Sequence, residues 1–185
     1  MVRDTPYQPG QRTYPLLPDH LRKQWEAIPT SGSQVQYRPC SATLKTGAVF
    51  PCVYVLEAPK YIDVWGVWPE DDPCKEHIRV DELASLSESP FRLPIAFANQ
   101  LYRAGESGKG YSVFTLVFAD GAQVAIGGSS NAIDFIALPD GRRMADIVRV
   151  VPHAGRDQRP IYAQPGYHWS LFGSGEGRGG SLRFV

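Results

Sequence analysis

The stretch Tyr111–Gly128, YSVFTLVFADGAQVAIGG, sets the strongest limit on how this chain can fold. Val113 to Phe118 is an unbroken β-branched, aromatic and aliphatic run of strand length. Asp120-Gly121 follows, a dipeptide that tolerates positive φ at both centres of a type I′ turn. With that turn, Ala119 faces Ala122, Val117 faces Val124 and Thr115 faces Ile126, and opposed residues share a face. One face is then Val113, Thr115, Val117, Val124 and Ile126; the other is Phe114, Leu116, Phe118, Gln123 and Ala125. Both are apolar near the middle, whereas a strand wetted on one side alternates with polar residues. The prediction is a central hairpin covered on both sides.

The rest of the chain reads as a frame around this hairpin. Residues 1–18 are proline-rich and predict an extended N-terminal arm. Asp19 can cap a helix to about Ala27, with Leu21, Trp25 and Ile28 on one stripe, and Pro29 ends it. Ala48–Leu56 and Tyr61–Trp68 predict two strands joined through Glu57-Ala58-Pro59-Lys60. Pro51 makes the first of them an edge, or bulged or broken there. One or two short strands are expected within 77–86 and irregular chain from Ser87 to Pro94. Pro94 suits the first turn of a helix through about Ala104, with Gly105 past its end in the left-handed conformation. Ile133–Leu138, Asp146–Val151 and Tyr167–Phe172 predict further strands, and Gly173–Gly180 a flexible linker. No internal sequence repeat stands out, although two hairpins of similar length occur.

The expectation is an α+β fold: a mainly antiparallel sheet of about six to eight strands, open or barrel-like, with two short α-helices. The organisation expected is an arm (1–18), one α+β domain (19–152) and a C-terminal extension (153–185) containing the glycine-rich linker 173–180.

Charge and composition narrow the function. The 185 residues carry 19 basic and 19 acidic side chains, so no whole-domain attraction to nucleic acid or an anionic membrane is expected. The acids concentrate between Glu57 and Glu88 and the arginines beyond Gly141. Cys40, Cys52 and Cys74 are an odd set without tight spacing, no apolar run approaches the length of a membrane span, and the first residues lack a signal-peptide core. These features fit a reducing cytoplasm with free thiols.

Motifs are few. Arg103–Gly110, RAGESGKG, resembles a phosphate-binding loop, but Arg103 stands at the first glycine and Gly110 at the magnesium-binding hydroxyl. A helix precedes it and a strand follows, the reverse of what phosphate binding requires. The loop keeps Glu106, Ser107 and Lys109 as contact residues for a partner. Cys40, Cys52, Cys74 and His77 match no zinc spacing, and neither metal nor cofactor is expected. His153 and His168 could each serve as a base, with no nucleophile marked out beside either. Trp65, Trp68, Tyr167, His168 and Trp169 lie near Gly and Pro, and Asp71 and Asp72 lie close to the first two. Exposed Trp and Tyr favour protein interfaces, and the acids oppose nucleic-acid stacking there.

The expected function is therefore a non-catalytic cytoplasmic binding or interaction protein, of accessory or immunity type, with another protein as partner. The candidate contacts are Glu106, Ser107, Lys109, Trp65, Trp68, Asp71, Asp72, His168 and Trp169. The alternative is a small hydrolase with a site built from sequence-distant His, Asp, Glu and Cys. Neither membrane nor nucleic-acid binding is expected.

Overall fold

A computed structural model describes residues 12–32, 36–130, 132–139 and 141–174. Its α-helices are α1 (Asp19–Ala27), α2 (Ala58–Trp65) and α3 (Ile95–Ala104). Its strands are β1 (Pro39–Leu44), β2 (Val49–Glu57), β3 (Glu76–His77), β4 (Leu83–Glu88), β5 (Tyr111–Phe118), β6 (Gln123–Ser129), β7 (Ile147–Pro152), β8 (Ile161–Tyr162) and β9 (His168–Phe172). They form two open sheets, ordered β3-β9-β2-β1-β4 and β7-β5-β6-β8.

The α+β class holds, and several details of the expectation are corrected. The single antiparallel sheet becomes two mixed sheets of nine strands, with three helices and no closed barrel among the described residues. The mixture arises because the chain beyond β7 returns in parallel: β8 runs beside β6, and β9 beside both β2 and β3. Such long-range pairings carry no local signal.

The predicted strand at Tyr61–Trp68 is largely helix α2. Pro59 lies in its first turn, and Gly66 ends it in the left-handed conformation at φ 68°, its N–H reaching Ile62 O at 2.9 Å. Tyr61 and Trp65, four residues apart, share one helical face and pack together at 6.1 Å. This packing of one face overrides the strand preference of Ile62 and Val64. Ile133–Leu138 is likewise no strand; only Phe135 pairs, opposite Arg92. Two caps also differ. Asp19 begins α1 behind Pro18 without a side-chain cap, and Gly105 has φ 77° with extended ψ −169°.

The hairpin β5–β6 forms one residue out of the predicted register. Leu116 faces Val124 and Phe114 faces Ile126. The turn holds three residues, 119–121, closed by Phe118 N–H to Ala122 O at 2.9 Å; Gly121 takes φ 83°, and the Asp120 side chain accepts Ala122 N–H at 3.0 Å. A one-residue slip moves every β6 side chain to the other face. It assembles Phe114, Leu116, Phe118, Val124 and Ile126 into one apolar layer with Leu93, Ala98 and Leu101 beside α3. The reverse face is covered too: Thr115 and Ala125 are buried, and Gly155 (φ 95°) approaches so closely that a Cβ there would lie 2.6 Å from Ala125 Cβ. Pro51 sits in β2 opposite a break in register between Cys40 and Ala42, so Pro51 and Cys52 together oppose Ser41. The bulge lets a proline lie in an inner strand.

The two sheets contain the same unit twice, which no sequence similarity announced. Leu-Pro precedes α1 (Leu17-Pro18) and α3 (Leu93-Pro94), with Arg22 N–H to Pro18 O at 2.8 Å and Ala98 N–H to Pro94 O at 3.0 Å. Each helix leads to a hairpin whose turn bonds match: Leu44 N–H to Ala48 O and Gly47 N–H to Leu44 O in one, Phe118 N–H to Ala122 O and Gly121 N–H to Phe118 O in the other. Each hairpin is followed, after a 3₁₀ turn (Val80–Glu82 or Met144–Asp146), by a strand on its outer side. Ala42↔Leu86 and Thr43↔Ser85, then a shift to Leu44↔Leu83, correspond to Leu116↔Val150 and Val117↔Arg149, then a shift to Phe118↔Ile147. A helical glutamine then meets each outer edge: Gln24 Oε1 accepts Leu86 N–H at 2.8 Å, and Gln100 Nε2 donates to Val150 O at 3.3 Å.

A polar anchor joins the units. Asp134 is fully buried and accepts hydrogen bonds from Tyr102 (2.6 Å), Tyr54 (2.9 Å) and Ser31 hydroxyls. Burial raises its carboxyl above the usual range, opposed by those three donors. Residues 12–18 lie against the first sheet through a parallel bridge from Leu16 to Gly173. The predicted linker from Gly173 to Gly180 falls outside the described residues beyond Ser174, as does the arm before Arg12.

Candidate functional site

The units differ most in the excursion between hairpin and outer strand. In the second unit it spans 130–142; in the first it spans 58–78 and builds α2 and β3. After Gly66 the chain makes a 3₁₀ turn at Pro69–Asp71. Asp72 then folds the next residues back, its side chain accepting Cys74 N–H at 2.9 Å and its carbonyl accepting Lys75 N–H at 2.9 Å. Lys75 is thereby delivered onto the Trp65 ring, with Nζ 3.9 Å from the centroid. Glu76 and His77 pair in parallel with His168 and Trp169.

The facing wall comes from the second sheet's short edge. Past β8, Gln164 makes a three-way latch: its amide oxygen accepts Ser129 N–H (3.2 Å) and the Tyr162 hydroxyl (3.1 Å), and its nitrogen donates to Ala132 O. Pro165, Gly166 and Tyr167 then lead into β9. Between these walls lies a recess of about 320 Å³, lined by 74–76, Tyr162, 164–167 and Trp169. Trp169 is fully buried within an aromatic assembly: Tyr54 stacks on it at 4.9 Å, and Tyr61 (5.0 Å), Trp65 (5.3 Å) and Tyr167 (5.8 Å) meet it edge-on. Burial raises the Tyr167 hydroxyl to about 12 and lowers the Lys75 ammonium, which Asp72 and Cys74 partly offset. Among the described residues no carboxylate lies within ion-pair distance of Lys75.

A second recess, of about 350 Å³, lies between the 12–15 arm and 77–81, and Trp169 lines it as well. Its polar groups are paired: Arg12 with Asp71 and Arg79 with Asp81 (2.6 Å) as ion pairs, and Glu70 accepting the Tyr14 hydroxyl at 3.0 Å.

The predicted contact residues thus fall in three places. Trp169 lines the first recess and Trp65 packs on Trp169 and under Lys75, while Asp72 holds the turn that delivers Lys75. Trp68, Asp71 and the arm form the second neighbourhood; Trp68 is buried against Tyr14 at 5.3 Å. His168 belongs to β9, its ring 4.7 Å from Phe50 and its proton affinity lowered by burial, which Glu76 opposes. Glu106, Ser107 and Lys109 sit at the end of the second sheet. Glu106 accepts Gly110 N–H at 3.0 Å and the Ser130 hydroxyl at 2.7 Å, which hold its carboxyl below the usual range. Tyr167 belongs to the aromatic set that the sequence points to; Lys75 does not stand out there. A lysine on a tryptophan face ten residues away is a tertiary pairing, and only the neighbouring acids and tryptophans hinted at it.

Ser107 and His153 do meet, Oγ to Nδ1 at 2.9 Å. His153 Nε2 lies 3.1 Å from Ala104 O, a carbonyl that can only accept, so Nε2 carries a proton; the single Ser107 hydroxyl proton has both Val113 O (3.1 Å) and His153 Nδ1 within reach. His153 holds the left-handed backbone conformation at φ 60°. Yet Ser107 Oγ also accepts Val113 N–H at 2.8 Å. The amides of Ser107 and Gly108 both donate to Tyr111 O, and that of Gly110 to Glu106. An acyl-transfer site needs N–H donors aimed at a developing oxyanion; these three are spent on the loop. The pair reads as a clasp holding the loop against the sheet.

Among the described residues, no three His, Cys, Asp or Glu side chains converge as a metal-ligand set, and no helix is long and apolar enough to cross a membrane. No protein-family model matches the chain, and no curated protein or solved structure matches it either.

Proposed function

We propose that this chain is a non-catalytic binding protein whose site is the recess between the short edges of the two sheets. Its partner is another protein that inserts a side chain or chain end between Lys75, Tyr162, Tyr167 and Trp169. One observation carries the reading: Lys75 is half-buried on an aromatic face, lines a recess and has no carboxylate partner among the described residues. Partly desolvated cations are ordinarily paired. Placement supports it further. The recess belongs to the excursion by which one unit departs from the other, and insertions in repeated units often carry the binding face. At about 320 Å³ it reaches the lower end of ligand-pocket size. A reducing cytoplasm remains the proposed setting, consistent with three free thiols.

The test is a footprint. The labelled protein is titrated with a library of neutral, anionic and cationic fragments, and amide and indole N–H shifts are followed by NMR. Hits are expected to cluster on Lys75, Gly166, Tyr167 and Trp169. A footprint centred on Ser107 and His153, or scattered over the surface, would remove the proposal.

A further inference from the structure

We infer that the group bound in this recess is a carboxylate carried next to an aromatic or apolar moiety. The inference rests on the proposed binding role and adds the chemical class. Two donors of the lining, the Lys75 ammonium and the Tyr167 hydroxyl, have no acceptor among the described residues. Trp169, which lines the recess too, is fully buried with its Nε1–H unpaired. A buried donor left unpaired is costly and ordinarily finds an acceptor. Two further polar side chains are committed: Gln164 is consumed by its latch, and the Tyr162 hydroxyl donates to it. Glu76, the one carboxylate of the lining, sits opposite His168 in the β3–β9 ladder.

The donor excess selects an anion. The lining rings of Tyr162, Tyr167 and Trp169 with Pro165 select a flat or apolar neighbour to it. A bare inorganic anion would leave those walls uncovered. A cationic ligand would meet Lys75 already lying on the Trp65 face it would need. Two sources fit the same chemistry: a free aromatic acid, or the carboxyl terminus of a protein chain ending in an aromatic residue.

The experiment compares five probes on the intact chain by calorimetry and by the Trp65 and Trp169 indole N–H signals. The probes are benzoate, benzamide, benzylamine, the tetrapeptide Gly-Ser-Gly-Phe with a free C-terminus, and its amide. Benzoate or the free-acid peptide is expected to bind at least about tenfold more tightly than its neutral counterpart, the factor that about 1.4 kcal/mol represents. Lys75→Met should remove that advantage and Lys75→Arg should retain most of it, with both variants keeping the parent's thermal midpoint. A free-acid peptide that binds more tightly than benzoate identifies a chain end. Benzoate binding with both peptides silent keeps the carboxylate and overturns the protein partner. Equal binding of benzamide or benzylamine at the same signals overturns the carboxylate while leaving a binding recess. Silence of all five probes overturns the carboxylate as well, and the fragment footprint then decides the binding role by itself.

Discussion

Replacing Asp134 tests how the two units are held together. Its carboxylate is fully buried and receives hydroxyls from Ser31 in the α1–β1 connection, Tyr54 in β2 and Tyr102 in α3. Asp134→Ala strands three buried hydroxyls, each costing about 1–3 kcal/mol when left without an acceptor. It also opens a small cavity and removes the cost of burying a charge, which acts in the opposite direction. The net expectation is a loss of about 4–5 kcal/mol. For a chain of this size each kcal/mol shifts the thermal midpoint by about 2–4 °C, so a fall of roughly 10–15 °C is expected. Asp134→Asn keeps one acceptor, and a hydroxyl can turn to accept from the new amide, so about 2 kcal/mol is expected there. Urea unfolding followed by tryptophan fluorescence measures both. Adding Tyr102→Phe to Asp134→Ala should cost less than Tyr102→Phe in the parent, because the stranded hydroxyl is removed; the coupling should be about 1 kcal/mol or more. The pH dependence has a defined sign. Burial raises the Asp134 carboxyl in the folded state, so the folded protein holds that proton more tightly than the unfolded chain. Stability from this group is therefore greatest at acid pH and declines as pH rises from about 4 through the raised value. The margin of the parent over Asp134→Asn should narrow across that interval and then stay level. An Asp134→Ala protein within about 1 kcal/mol of the parent, with additive Tyr102→Phe, would refute the anchor.

Alkaline pH should unfold the protein early. Burial raises Cys52 to about 11, Cys40 to about 12 and Tyr167 to about 12, and lifts Tyr54 and Tyr102 well above their ordinary value. Their contribution is intact below the unfolded values of 9.0 for Cys and 10.0 for Tyr and is lost as pH climbs through the folded ones; a urea midpoint unchanged between pH 8 and 11 would contradict this. Of the three thiols only Cys74 is exposed. Ellman's reagent should titrate one thiol quickly in the native protein and all three in urea; fast reaction of two would show that Cys40 or Cys52 is more open than it stands here. Replacing Gln24 and Gln100 together by alanine frees Leu86 N–H and Val150 O on the outer edges of β4 and β7. Each change should cost about 1 kcal/mol, and the double variant should associate with rising concentration because bare edges pair. Light scattering that reports the same mass for parent and double variant up to about millimolar concentration would show that the glutamines do not protect the edges.

The sequence alone determined the elements whose evidence is local. Val113–Phe118 had to be a strand because its β-branched and aromatic run is of strand length; Pro94 and Gly105 bracketed α3; Asp120-Gly121 marked a turn. Locality also set the limit. The dipeptide could not say whether two or three residues would close the hairpin, and the packing of Phe114, Leu116 and Phe118 beneath α3 decided it. Tyr61–Trp68 had strand composition and became mostly helix because Tyr61 and Trp65 needed one face on which to meet Trp169. The parallel strands β8 and β9, the repetition of one unit in register and bonding, and the burial of Asp134 all depend on partners distant in sequence. The recess is the extreme case. Its walls come from 74–76 and 162–167, and nothing in either stretch names the other. Tertiary structure alone placed Lys75 on Trp65, because the return of the chain as β9 brings Trp169 between the two short sheet edges.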